Sequence, residues 1–118
     1  GKFGQQAKFS DNDHRNYNKD GEFFNVGETF SGLPYEKGVE LSEKLKTLVP
    51  SDIALAQLSL RWIIDHPEVT SVIAGASSAE QVRQNANAAK LAPLNKDLHQ
   101  KLSDFYFDEV KQHVRGSI

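Results

Sequence analysis

Apolar positions recur at helical spacing over most of the chain after residue 34, and give way to an unbroken apolar run at one place. From Pro34, which suits a first helical turn, Val39, Leu41, Leu45 and Leu48 approximate one apolar face, and Pro50 ends it. Ser51-Asp52 predicts the next helix start, with a hydroxyl for the orphan N–H groups and a carboxylate favoured by the helix dipole. Behind it, Ile53, Ala56, Leu60, Ile63 and Ile64 form one stripe, and Leu55, Leu58 and Trp62 a second. A helix apolar on two faces is expected between layers. Asp65-His66-Pro67 stops it. Thr70–Ala74 predicts a strand, and its lack of polar alternation predicts cover on both faces, as in a parallel sheet. Ser78 to about Lys90 reads as a helix with Val82, Ala86 and Ala89 inward. Asn95 or a neighbour caps a final helix whose apolar side is Leu94, Leu98, Leu102, Phe105 and Val110. The tail from Lys111 is polar.

Residues 1–34 show no sustained period, and their glycines and asparagines suggest a long loop. Phe3, Phe9, Tyr17, Phe23, Phe24 and Phe30 are too many aromatics for a solvated tail, so this loop is expected to pack against something. The order loop, helix, helix, strand, helix, helix belongs to alternating α/β architecture. One strand makes no sheet, and its backbone groups need partners. The sequence therefore reads as part of a larger fold. On its own it is expected to oligomerise through the open strand edges or by swapping the loop.

Composition narrows the partners. Hydrophobic residues make up 38% and mean hydropathy is −0.54, both low for a chain that buries its own core. With 14 basic and 16 acidic residues the formal charge is −2, which argues against nucleic acid. No apolar run approaches the roughly 20 residues of a membrane span. The chain has no cysteine, which fits a reducing, cytoplasmic setting. Gly1-Lys2-Phe3-Gly4 has no apolar stretch of the signal-peptide kind. It carries no initiator Met either, so the start was replaced or lies upstream.

The candidate chemistry sits at Val72-Ile73-Ala74-Gly75-Ala76-Ser77-Ser78, where the apolar run meets a helix start. Two readings fit. Ser77 with Glu80, or Ser78 with Gln81, matches a capping box, and Gly75 then supplies a backbone angle that a side chain forbids. Alternatively, first-turn N–H groups and the two hydroxyls hold a phosphate. Gln81 and Asn85 share a helix face and Gln84 lies one turn after Gln81, giving three amides with donors and acceptors for a purine and ribose.

The stretch Ile73–Asn85 resembles the segment of aldo-keto reductases that binds the adenosine 2′-phosphate of NADP. Ala56-Gln57-Leu58-Ser59-Leu60-Arg61-Trp62-Ile63-Ile64-Asp65-His66-Pro67 is similar to that family's A-x-x-A-L-R-W-x-L-x-H-P helix before the eighth strand. The Gly-Ala-Ser form and the opening Gly1-Lys2-Phe3 resemble the branch that includes potassium-channel β subunits and many bacterial reductases. The resemblance is strongest over residues 51–91.

It implies the C-terminal part of a TIM (β/α)8 barrel. Residues 1–34 would be the long loop after strand seven, 35–66 helices, 70–74 strand eight and 78–118 C-terminal helices. The isolated chain would be mostly helical with one short β-strand. The resemblance further implies an NADP-dependent oxidoreductase reducing aldehydes and ketones to alcohols, with the N-terminal part of the barrel as partner. Carried over position by position, Gly75, Ser77, Gln81, Gln84 and Asn85 would contact the adenosine end, and Lys2 and Arg15 would approach the phosphates. Two departures matter. The family often has Glu where Gln84 stands. Other branches carry Lys at Gly75 and Arg at Gln81, so this corner lacks their charge-assisted bonds to the phosphate.

The family's Asp, Tyr, Lys and His tetrad lies in the first half of the barrel, before Gly1, so no local residue is assigned a catalytic role and the chain alone is expected to be inactive. The spacing of His14, His66, His99 and His113 suggests no metal site. Asp11 and Asp13 read as solvated loop charges, and His66 as a helix stop. A rival reading is a self-contained small helical interaction module in which Ser77-Ser78 is only a cap.

Overall fold

Helices and helical turns account for all the regular structure among residues 4–116, which are those the computed structural model describes. The α-helices are α1 (His14–Tyr17), α2 (Tyr35–Lys46), α3 (Leu55–Ile64), α4 (Ala79–Asn87) and α5 (Lys96–Phe105). The chain divides into two units, Gly1–Thr47 with Ser103–Ile118, and Leu48–Leu102. Among the described residues no helix is long and apolar enough to cross a membrane.

In the first unit the aperiodic loop is organised by polar side chains. Asp13 caps α1, its Oδ1 accepting from the Arg15 N–H at 2.9 Å. Asn18 is fully buried. Its Oδ1 accepts from the Phe23 and Phe24 N–H groups, each at 3.0 Å, and its Nδ2 donates to Thr29 Oγ1 at 3.1 Å. The expected aromatic packing is present within this unit. Phe9, Phe30 and Tyr35 cluster with ring centroids 5.1–5.7 Å apart, and Tyr17 meets Phe23 edge-on at 5.3 Å.

Phe30, Ser31 and Gly32 all have positive φ, at 52°, 53° and 77°. For the two non-glycines this left-handed backbone costs on the order of 1 kcal/mol each. Gly32 is required here, because a Cβ would collide with the Arg115 carbonyl. Arg115 grips the same turn. Its backbone N–H and Nε both donate to Gly32 O at 3.1 Å, and its other nitrogens reach Asp20 Oδ1 at 2.8 Å and Lys19 O at 3.0 Å. The tail from Lys111, polar as expected, thus closes the loop. Helix α2 starts after Pro34 and buries Val39 and Leu41, and its Lys44 pairs with Glu109.

The second unit departs from the sequence expectations at several points. Helix α3 begins at Leu55 with Ala54 at the N-cap and no side-chain cap; Ser51 and Asp52 lie in a preceding turn. Its buried positions are Leu58 and Arg61, while Leu55, Leu60, Ile63 and Ile64 are half-buried and Trp62 is exposed. Cover on both faces is not observed. Thr70–Ala74 is not a strand: no ladder forms among the described residues, and Ile73 is 99% exposed. A strand is defined by hydrogen bonds to a neighbour, and the described residues offer none. Helix α4 ends at Asn87 and continues as a 3-10 turn, Ala88–Lys90. Val82, expected inward, is 57% exposed, and the buried residue of this stretch is Ala88. The final helix starts as expected, with Asn95 Oδ1 accepting from the Leu98 N–H at 2.8 Å, but its α-helical part ends at Phe105 and Val110 lies in a π-helical turn, Tyr106–Val110.

Leu60 and Ile64 of α3, residues 69–72 with Ala74, and Asn85, Ala86 and Ala89 line an open groove of about 400 Å³. Of the apolar positions read from the sequence, Leu60 and Ile64 of the first α3 stripe and Ala86 and Ala89 after them line this groove, while Leu55, Leu58 and Trp62 do not.

Candidate functional site

The corner at Gly75–Asn85 is built by the start of α4. Ser78 is the N-cap, with extended backbone at φ −150° and ψ 156°, and its Oγ accepts from the Gln81 N–H at 3.2 Å. Gln81 reaches back one residue further than a standard capping box. Its Oε1 accepts from the Ser77 N–H at 2.6 Å and from Ser77 Oγ at 3.0 Å. Of the two pairings the sequence allows, the structure thus forms Ser78 with Gln81 and draws Ser77 into it. Asn85, one turn on, donates from Nδ2 to Gly75 O at 3.2 Å and fixes the approach to the helix.

Gly75 does not have the backbone angle that would demand glycine. Its φ is outside the left-handed region, and a Cβ built there meets nothing within 4 Å. The fold itself would accept a side chain at this position. What glycine leaves is open space directly over the backbone, where another group can come close.

Several donors remain at this corner. The first-turn N–H groups of Ala79 and Glu80 have no preceding helical carbonyl to use. The Ser78 hydroxyl hydrogen and the Gln81 Nε2 group have no partner among the described residues. These donors are neutral. Arg83 is held by Glu80 at 3.4 Å, and Glu80 also accepts from Gln84 Nε2 at 3.2 Å. The corner therefore suits a phosphate held by hydrogen bonds and a dipole, with no dedicated cation.

Direct hydrogen bonds pair Ser77 with Gln81 and Gly75 with Asn85, while Gln84 bonds to Glu80 on the same helix and not to these four residues. Arg15 belongs to the other unit, where its Nη1 pairs with Asp13 at 3.2 Å and its guanidinium lies 5.7 Å from the Phe9 ring centre. Asp13, read from the sequence as a solvated charge, is thus a cap and an ion-pair partner. Lys2 lies outside the described residues.

The sequence reading did not anticipate the polar frame of this unit. Asp65 is nearly buried, and Oδ1 accepts from Arg61 Nε at 2.9 Å and Nη2 at 2.6 Å. Its Oδ2 accepts from the Leu94 N–H at 2.8 Å and from His99 Nε2 at 3.2 Å. Burial pushes the Asp65 carboxyl up, but Leu94, His99 and Arg61 together outweigh it and hold the group below its ordinary value. The i,i+4 spacing of Arg61 and Asp65 was a usable signal; the 34-residue separation of Asp65 and His99 was not. His66, read as a helix stop, donates from Nδ1 to Trp62 O at 2.8 Å at the end of α3. Its ring also meets that of His99 at 5.7 Å. Among the described residues no group of three or more His, Cys, Asp or Glu could hold a metal ion.

A probable voltage-gated potassium channel subunit beta of Arabidopsis thaliana is 32% identical to the chain over 64 residues, which are 54% of the chain and 17% of that protein. An uncharacterized oxidoreductase, YqkF, of Bacillus subtilis (strain 168) is 37% identical over 60 residues, 49% of the chain and 20% of that protein. The matched stretch is thus a fifth or less of either relative's length. No solved structure gives a significant match. A family model described as the aldo/keto reductase family matches residues 1–106, nearly the whole length, and the chain belongs to that family.

Proposed function

We propose that this chain forms the adenosine-side clamp of a nicotinamide coenzyme in an oxidoreductase that reduces aldehydes and ketones to alcohols. The observation that carries the reading is the corner itself: Gly75 open above its backbone, with Ser78, Gln81 and two first-turn N–H groups offering donors beside it. When bound, the coenzyme would supply hydride to the carbonyl carbon. The local residues bind and orient. Ser77, Ser78 and Gln81 would take a phosphate, while Gln84 and Asn85 present amides for the purine and ribose. We propose NADP as the coenzyme. The neutral donor set implies a smaller preference over NAD than a corner with Lys or Arg would give. In the same proposal residues 70–74 are the place of an eighth barrel strand. The groove beside Leu60, Ile64 and Val72 then seats the preceding part of the barrel.

The internal pairing of Ser77, Ser78 and Gln81 favours a second reading, a plain helix cap in a small interaction module. A single substitution separates the two. In the full-length protein, Gly75→Val should leave the melting temperature unchanged, because a side chain meets nothing there. It should also weaken NADPH binding, followed by nucleotide fluorescence, by roughly tenfold or more through blocked approach to the backbone. Unchanged affinity with unchanged stability would remove the clamp and leave the cap.

A further inference from the structure

Gln57, Arg61 and Asp65 follow one another at four-residue intervals along α3 and its end, so they form one row. Two of them address the main chain of α4 and its continuation. Gln57 Nε2 donates to Gln84 O at 3.1 Å, at the residue before Asn85. Arg61 Nη1 reaches Leu91 O at 3.3 Å and Ala89 O at 3.5 Å, just where the 3-10 turn after α4 runs out. Carbonyls at such an end have no helical partner, and the negative end of the dipole favours a guanidinium there. Arg61 is itself held. Asp65 takes its Nε and Nη2, then spends its second oxygen on the Leu94 N–H and on His99.

None of these side chains bonds to Gly75, Ser77, Ser78 or Gln81, and the Arg61 charge is matched by Asp65, so it is no spare cation for a phosphate. What they fix is the position of the α4 backbone from behind, at its middle and at its exit. We propose that Gln57 and Arg61 are positioning residues for the nucleotide-facing side of α4, setting where Gln81 and Asn85 stand, with Asp65 holding Arg61 in the required orientation. This rests on the clamp reading of the corner and adds the device that keeps the clamp in register.

The test uses the full-length protein and steady-state kinetics with NADPH and a carbonyl substrate. Arg61→Lys keeps the charge toward Asp65 but cannot also span to the Ala89 and Leu91 carbonyls. Gln57→Glu keeps the shape and replaces the donor by a group that repels the Gln84 carbonyl. Each should raise the KM for NADPH by roughly three- to tenfold, the effect of losing one hydrogen bond. At saturating NADPH kcat should stay within about twofold, because nothing at the reacting atoms has changed. Gln57 is only half-buried where Arg61 is buried, so its variant carries the test if the Arg61 variant fails to fold. Gln81→Ala is the control for the corner. If it raises the KM while both row variants leave KM unchanged, the positioning role is overturned and the clamp stands. If Gln81→Ala also changes nothing, the clamp reading falls and takes this inference with it. A matched fall of kcat in the row variants would overturn positioning in favour of a general structural defect.

Discussion

The two units solve opposite problems. The first has almost no periodic pattern over its first thirty-odd residues, yet its loop is closed by specific polar ties at Asn18, Asp13 and Arg115. The second is strongly periodic, yet Ile73 and Val82 are exposed and an apolar groove stands open between α3, residues 69–74 and α4. Periodicity announces where helices form; it does not supply the surface that covers them. A loop rich in asparagine, aspartate and aromatics can complete itself, because each buried carboxamide or guanidinium serves several backbone groups at once. The strand-like run at residues 70–74 and the helices beside it have no such ties: among the described residues no ladder forms, and Ile73 and Val82 stand in solvent.

Intrinsic fluorescence reports on the two regions separately, since the single Trp, Trp62, lies in the second unit and Tyr17, Tyr35 and Tyr106 lie in the first. The largest loss is expected from Asp65→Ala. It leaves the Arg61 guanidinium buried without its partner, and such a break costs about 3–5 kcal/mol, read as a shift of the Trp62 denaturation midpoint in urea. An unchanged midpoint would show that the frame carries no stability. The same group sets an acid limit. Because its carboxyl is depressed in the fold, its stabilising contribution is complete above the ordinary aspartate value of about 4 and is lost as pH falls through and below it. The Trp62 signal should therefore lose stability on acidification below about pH 4, and Asp65→Asn should flatten that dependence.

Next in size is Asn18→Ala. It orphans the Phe23 and Phe24 N–H groups and Thr29 Oγ1, for roughly 1–3 kcal/mol, and it should move the tyrosine signal while leaving Trp62 alone. A parallel shift of both signals would mean that the two regions do not melt separately. The smallest effect on folding is expected from Ile73→Lys, since the side chain is already in solvent. Its effect should fall on association: sedimentation of the 118-residue chain should show self-association that the charged variant reduces. A monomer at high concentration in both would contradict that expectation.

What could be read in advance divides by range along the chain. The start of α4 is legible, because a cap and its partners lie within a few residues, and the sequence alone points to Ser78, Gln81 and Ser77. So is the Asn95 cap. The start of α3 was misplaced, because Ser51-Asp52 has a cap's chemistry but stands in a turn ahead of the helix. The strand expected at Thr70–Ala74 does not form among the described residues for a physical reason, since β-branched residues favour an extended form but a ladder needs a second chain segment. Asn18 was invisible, because a buried asparagine inside an aperiodic loop looks like any solvated one until its partners five, six and eleven residues on are placed. At Gly75 the backbone angle that the capping reading assigns to glycine is not observed. Conformation does not require it, and that leaves its open face as the more informative fact.

Arg115 bonds to Gly32 across 83 positions of sequence, and that contact has a practical cost. Loss of this one residue would strip both donors from the Gly32 carbonyl and release the left-handed bend at Phe30–Gly32. The integrity of the Phe30–Gly32 bend is thus entrusted to a residue far along the sequence, and an Arg115→Ala variant should be recognised first by altered tyrosine emission.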